Sequence, residues 1–206
     1  ARPGGDLFLG SCARRMIVSV PPAAPSFAKQ TGRLMTVWGF HCTRVDLDLV
    51  GSGEIAVGWD ELGDLSTIPN DQEAFKERIK DTYPDVKTGA IPNWAGQLRR
   101  FAHEVGEGDL VVYRETGGGP IHIGRVTGGY FRRPETDFGQ RIPVDWSQEE
   151  FQATNFPSGA LFELGAFLTL FKIKNHADVW LHAFDGLVAA EPSLEPSDDE
   201  DLEPEE

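Results

Sequence analysis

Ile55-Ala-Val-Gly-Trp-Asp-Glu-Leu-Gly-Asp-Leu-Ser66 begins as a short apolar strand pattern and ends in a polar turn punctuated by Gly63. Trp59 stands at the changeover, with Gly58 before it and Asp60-Glu61 after it. Two further stretches follow the same plan. Gly108-Asp-Leu-Val-Val-Tyr113 leads from a glycine into a β-branched run. Ile121-His-Ile-Gly-Arg-Val-Thr-Gly-Gly-Tyr130 carries apolar residues at alternate positions before a Gly-Gly-Tyr ending. Short β-branched and aromatic runs bounded by glycine read as strands. Strands that pair with their sequence neighbours, without sustained βαβ alternation, point to an α+β fold. The expected architecture is a curved mixed sheet or β-barrel with helices beside it, not a doubly wound sheet.

Outward from these stretches the order reads β, β, α, α, β, β, β, α, β. Residues 37–45 and 54–59 are strands by their β-branched and aromatic content. Asn70-Asp-Gln-Glu73 has capping-box spacing and opens a helix with Phe75 and Ile79 facing inward. Tyr83-Pro84 ends it. Asn93 is placed to cap a second helix, in which Trp94, Leu98, Phe101, Ala102 and Val105 form an apolar stripe. Gln97, Arg99, Arg100 and His103 lie off that stripe. Residues 110–114 and 121–127 form a hairpin around Thr116-Gly-Gly-Gly-Pro120. Residues 141–146 are a strand, 158–168 a helix and 170–173 a last strand.

Residues 1–34 are rich in Pro, Ala, Gly and Arg and read as a flexible extension. Met35 looks like a natural start entering directly into a strand, with Met16 as a second candidate. The recognition domain spans 35–186. Residues 187–206 read as an acidic disordered tail, with nine acids and no base from Glu191 onward. The net charge of −14 argues against nonspecific phosphate binding over the whole surface. Any nucleic-acid contact must use a local basic patch. No apolar run approaches the ~20 residues needed to span a bilayer. Two distant cysteines, Cys12 and Cys42, form neither a disulfide framework nor a zinc pattern, and a cytoplasmic location fits.

Motifs for chemistry are missing from the sequence. Gly117-Gly-Gly-Pro120 lacks the Gly-Lys-Ser/Thr ending of a phosphate loop. The five histidines do not fall at metal-ligand spacing with one another or with the cysteines. Asp46 and Asp48, two apart on an expected strand, read as solvated edge charges. No catalytic residue, metal or cofactor is assigned.

The aromatic residues carry more information. Stacking on an aromatic ring contributes about 1–3 kcal/mol per base. Trp59, at the barrel rim, is either a base platform or a plug of the barrel end. Trp38 shares a strand face with Phe40, where at least one of the two reads as core. Trp94 opens a helix on its apolar stripe, and Tyr130 follows two glycines that permit close backbone approach. Trp146 and Trp180 are most simply core. Arg99, Arg100, Arg132 and Arg133 read as solvated charges unless they converge as a phosphate clamp.

The runs at 55–66, 95–101 (Ala-Gly-Gln-Leu-Arg-Arg-Phe), 108–112, 123–130, 141–146 (Arg-Ile-Pro-Val-Asp-Trp) and 164–173 together resemble the N-terminal recognition domain of modification-dependent, type IV-like restriction endonucleases. That domain belongs to the PUA-like group, beside the EVE and YTH domains. The resemblance implies a curved mixed β-barrel flanked by helices that holds a methylated or hydroxymethylated DNA base, flipped from the duplex, in an aromatic cage. Carried over by position, the base-binding residues are Trp59, Trp94, Trp38, Tyr130 and Asp64. The phosphate-binding residues are Arg99, Arg100, Arg132 and Arg133. Restriction enzymes of this type carry a nuclease domain after the module, whereas this chain continues into an acidic tail. The expected protein is therefore a binding module, with cleavage left to a missing domain or a partner subunit. Three other readings stay open: a modified-RNA reader, a nucleotide-binding enzyme and a structural interaction module.

Overall fold

The protein is described by a computed structural model covering residues 34–44 and 46–186. The expected extension, apart from Leu34, and the expected acidic tail lie outside the described residues. Seven strands form the sheet: β1 (Val37–Phe40), β2 (Glu54–Val57), β3 (Leu110–Arg114), β4 (Ile121–Val126), β5 (Phe131–Arg132), β6 (Gln140–Trp146) and β7 (Leu170–Lys172). Their order is β2-β6-β4-β3-β1-β7. β1 and β3 run parallel, and the remaining pairs are antiparallel. β6 makes the sheet curl. Its first residues pair with both β2 and β5, and its last residues pair with β4. The result is a strongly curved, mixed α+β half-barrel.

Five helices flank it: α1 (Leu49–Ser52), α2 (Gln72–Thr82), α3 (Ile91–His103), α4 (Ser158–Leu164) and α5 (Ala177–Phe184). Alternation along the strands places apolar side chains on both sheet faces. Trp38, Phe40, Val111, Ile142 and Val144 pack with Phe75, Ile79, Leu98 and Phe101 of the α2–α3 pair. Val37, Leu110, Val112, Ile121 and Ile123 pack instead with Leu164 of α4 and Trp180 of α5. Each fully buried Leu-, Ile- or Phe-sized side chain contributes about 1.5–3 kcal/mol, so both layers matter to stability. Among the described residues, no helix is long and apolar enough to cross a membrane.

Local chemistry moves several boundaries. β1 stops at Phe40, although His41 N–H still donates to Thr169 O at 2.8 Å. Beyond it, Asp46 and Asp48 are not strand neighbours. Asp46 accepts from Arg44, and Asp48 caps α1 by accepting from Gly51 N at 2.7 Å. Asp71, not Asn70, caps α2 through Ala74 N. Asn70 instead accepts from Arg99 Nη1 at 2.8 Å. α3 starts at Ile91 with Pro92 in its first turn, where proline's missing N–H has no helical partner to lose, so Asn93 lies inside the helix. α4 ends at Leu164, before Gly165. The two-residue β5 and the short α1 and α5 escaped the sequence reading, being too brief for a periodic pattern.

Two sets of polar contacts fasten the C-terminal part. Gln97, expected off the apolar stripe of α3, is buried. Its Oε1 accepts from Thr169 N at 2.7 Å and Leu170 N at 3.3 Å, fixing the start of β7 against α3. The Glu163 carboxylate accepts from the backbone N–H groups of Lys174, Asn175 and His176 at 2.6 to 3.2 Å. It thereby holds the turn that leads into α5.

Candidate functional site: an aromatic cleft

At the mouth of the half-barrel, His41–Thr43 leaves β1, Gly58–Trp59 leaves β2, Phe138 approaches β6, and 165–169 leads into β7. These four segments enclose an open cleft of about 590 Å³. Trp59, Phe138 and Phe167 line it with His41 and Cys42. Phe167 is fully exposed, an unusual state for a phenylalanine, whose ring gains free energy from burial.

The backbone beneath this cleft is under strain. Trp59 has φ 65° and Phe138 has φ 56°, and they are the two non-glycine residues with positive φ among those described. For a bulky L-residue this conformation is an outlier costing about 1–2 kcal/mol, and such outliers concentrate at functional sites. Both strained residues line the same cleft.

Asp60 connects them. It directly follows Trp59, and its carboxylate accepts from Phe138 N at 3.0 Å and Gly139 N at 2.8 Å. A side chain at position 139 could not be accommodated, because a Cβ there would lie 2.4 Å from Arg133 O. Gln140, fully buried on β6, supports the Trp59 turn from below. Its Nε2 donates to Gly63 O at 2.9 Å and, at the longer distance of 3.5 Å, to Trp59 O.

The aromatic wall continues behind Trp59. Trp94 meets it edge to face, with ring centroids 5.6 Å apart. Tyr83 meets Trp94 in the same manner at 5.9 Å. Such pairs contribute about 0.5–1.5 kcal/mol beyond their burial, so Trp94 and Tyr83 help fix the Trp59 ring. Tyr83 Oη donates to Glu61 Oε2 at 2.6 Å, and burial together with this carboxylate raises the phenol's pKa. Trp94 and Tyr83 also line a separate shallow depression with Pro84 and Val86.

The other expected base contacts occupy different places. Trp38 is wholly buried beneath the sheet, and its Nε1–H donates to Asp109 Oδ2 at 2.9 Å. Tyr130 Oη donates to Gln140 Oε1 at 2.5 Å and accepts from Leu65 N at 3.0 Å. Burial pushes that phenol up to about 12. Tyr130 therefore joins the network under the Trp59 turn. Asp64 caps the 3-10 turn Leu65–Thr67, accepting from Ser66 N at 2.9 Å and Ser66 Oγ at 2.7 Å. The Ser66 hydroxyl is the main cause holding its carboxyl below the usual range.

Three of the four expected phosphate arginines have protein partners. Arg99 bonds to Asn70 and Glu104, and Arg133 to Glu54, which Arg141 also contacts. Arg132 Nη2 donates to Asp60 O at 3.3 Å. The Arg100 guanidinium lies beside Gly96 on α3. Beside the cleft, the Arg44 guanidinium lies 5.1 Å from the Phe138 ring centroid and pairs with Asp46. His41 Nε2 is held 2.6 Å from Leu164 O, and burial pushes the Cys42 thiol up, away from the reactive thiolate.

Phe138 and Phe167 were missed as site residues because only the fold brings them beside Trp59, and Asp60 because its partners, Phe138 N and Gly139 N, are distant in sequence. The available signal for Phe138 was Asp137-Phe-Gly139, a turn-forming environment around an aromatic.

A family model described as a domain of unknown function, DUF8426, matches residues 41–164. The chain belongs to that family. The DUF8426 segment begins at His41 on the cleft wall and contains Trp59, Asp60 and Phe138. Phe167, in the fourth wall, lies just outside it, beyond residue 164. Neither a curated protein nor a solved structure matches the chain.

Proposed function

We propose that this DUF8426 protein is a PUA-like reader whose cleft receives a modified DNA base. The observation that carries the reading is the pair of strained aromatic residues, Trp59 and Phe138, tied together through Asp60 at one open cleft. A core aromatic does not need left-handed backbone. An aromatic held at a fixed place and angle for a flat ligand gains from it, because the ring is oriented before binding. The strongly curved sheet with a helix pair on one face supports the PUA-like assignment.

A base leaving a duplex must recover an unstacking cost of a few kcal/mol. One platform contributes about 1–3 kcal/mol, so more than one aromatic wall is required. Trp59, Phe138 and Phe167 supply three at the cleft. The apolar lining from Ala56, Val57 and Leu168 suits an added methyl or hydroxymethyl carbon. Nuclease activity is assigned to a separate domain or subunit, in keeping with a recognition module.

The test is a paired titration of fluorescent DNA duplexes that differ at one base: cytosine, 5-methylcytosine or 5-hydroxymethylcytosine. The wild-type protein should prefer one modified duplex by at least about tenfold, which corresponds to 1.4 kcal/mol. Trp59→Ala should erase that preference and leave salt-sensitive background binding. Equal affinity of the wild type for all three duplexes would sink the reading.

A further inference from the structure

The aromatic cleft does not end at His41. His41, Cys42, Thr43 and Gly165 also line a second depression of about 280 Å³ on their other side. The two depressions adjoin along these four residues, and a ligand crossing that line occupies both as one groove. Its far end is made by Arg114 and Glu115 at the end of β3, by Thr116 and Gly118 in the following hairpin turn, and by α4 residues Leu161 and Leu164.

Arg114 makes no ion pair and no side-chain hydrogen bond with another described residue, and its Nε is buried without a partner; the Nε atoms of Arg132 and Arg141 are also buried unpartnered, but their other guanidinium nitrogens donate to Asp60 O and Glu54. A buried donor left unsatisfied costs about 1–3 kcal/mol, so an acceptor arriving at this guanidinium removes a standing penalty. The hairpin leaves room for it. Arg114 Nη2 lies 3.6 Å from where a Cβ on Gly118 would stand, and Gly118 has φ 82°. The nearest acid in the groove, Glu115, is engaged by His122, with Nε2 and Oε1 3.0 Å apart. Thr43 and Thr116 offer hydroxyl donors on the two sides.

We infer that Arg114 binds the backbone phosphate of the nucleotide whose base enters the Trp59 cleft. This inference rests on the base-reading proposal and names the anionic half of the same ligand. His41 to Thr43 line both depressions, so a ligand seated in the cleft has the Arg114 pocket as its immediate neighbour. Guanidinium is the side chain best matched to phosphate, since its fork of donors can engage two oxygens at once. A groove carrying aromatic walls at one end and an unpaired arginine at the other selects a phosphorylated nucleoside over a free base. It also explains how a chain with a net charge of −14 can hold nucleic acid. The cation is concentrated where one phosphate passes, and the general surface is not needed.

The experiment measures duplex affinity by fluorescence anisotropy across a salt series, for wild type, Arg114→Gln, Arg114→Lys and Trp59→Ala. Thermal melts of each variant accompany the titrations. The probe is the preferred modified duplex and its unmodified twin. A second arm compares the modified nucleoside with its 5′-monophosphate. Arg114→Gln should weaken binding of both duplexes about tenfold and reduce the salt slope by about one. The ratio of modified to unmodified affinity should stay as in the wild type. Arg114→Lys should recover part of the affinity, and the nucleoside should bind wild type and Arg114→Gln alike. If Arg114→Gln keeps wild-type affinity and salt slope while Trp59→Ala loses base preference, the phosphate assignment is overturned and the base reading stands. If the wild type shows no base preference, the reading beneath both is overturned.

Discussion

Replacing Trp59 by alanine and by glycine separates what the ring does from what the backbone does. Both variants lose the indole, its half-buried surface and its edge-to-face contact with Trp94. That common loss is roughly 2–3 kcal/mol, about half the cost of deleting a fully buried tryptophan plus the aromatic pair. They differ in the backbone. Residue 59 has φ 65° and ψ 39°, in the left-handed region. Alanine retains the penalty of about 1–2 kcal/mol for that conformation, and glycine does not. Glycine gives back about 0.4–1 kcal/mol through its larger unfolded-state entropy. Trp59→Gly should therefore be the more stable variant by about 0.5–1 kcal/mol. For a domain of this size each kcal/mol shifts Tm by about 2–4 °C, so the glycine variant should melt about 1–4 °C higher. Urea unfolding and calorimetry on the two proteins measure the difference directly. The order is opposite to that at an ordinary loop position, where alanine is the more stabilising residue. An alanine variant as stable as the glycine variant, or more so, would show that position 59 is not held at positive φ, and the strain argument would fall.

Two further perturbations examine the supports of the site. Asp60→Ala removes the acceptor for Phe138 N and Gly139 N and should cost about 2–4 kcal/mol. Asp60→Asn keeps one acceptor oxygen and should cost less, and urea unfolding that shows alanine within about 0.5 kcal/mol of wild type, the range of an inert surface substitution, would remove Asp60 from the account. Partial burial raises the Glu163 carboxyl, but the N–H donors of Lys174, Asn175 and His176 outweigh this and leave it below its ordinary value of 4.5. A lowered folded pKa stabilises above the ordinary value and is lost as pH falls through the folded one. Glu163→Gln should therefore cost about 1–2 kcal/mol at neutral pH, and the gap to wild type should close on acidification; a gap constant with pH would contradict the assigned network.

The half-barrel was largely readable from period-2 patterning. Residues 110–114 and 121–126 alternate between two apolar layers, and their hairpin turn is rich in glycine. Trp59 could be located at a strand end because an apolar run stops there and an acidic turn begins. Its left-handed backbone was not readable, since nothing local requires it. The cause is Asp60 binding amides 78 and 79 residues away. Phe138 was passed over for the same reason, since its turn-forming neighbours say nothing about what the ring faces. Gln97 looked like a solvent-facing helix residue and is instead the buried acceptor for two β7 amides, a demand that arises only once β7 docks. The arginines illustrate the converse. Arg99, Arg132 and Arg133 cluster with aromatics in sequence, yet each finds a partner within the fold. Arg114 attracted no attention, and its interest comes from the partner it lacks.

The claim that the Trp59–Phe138 cleft holds the base is tested most directly by assigned NMR spectra of the protein titrated with a modified duplex. The account predicts that backbone signals of His41–Thr43, Gly58, Phe138 and residues 166–169, together with the Trp59 indole N–H, move or broaden. It predicts that they do so far less with the unmodified duplex. Shifts confined to the exposed face of α2 or to the depression at Tyr83–Val86, with the cleft signals unmoved, would contradict it.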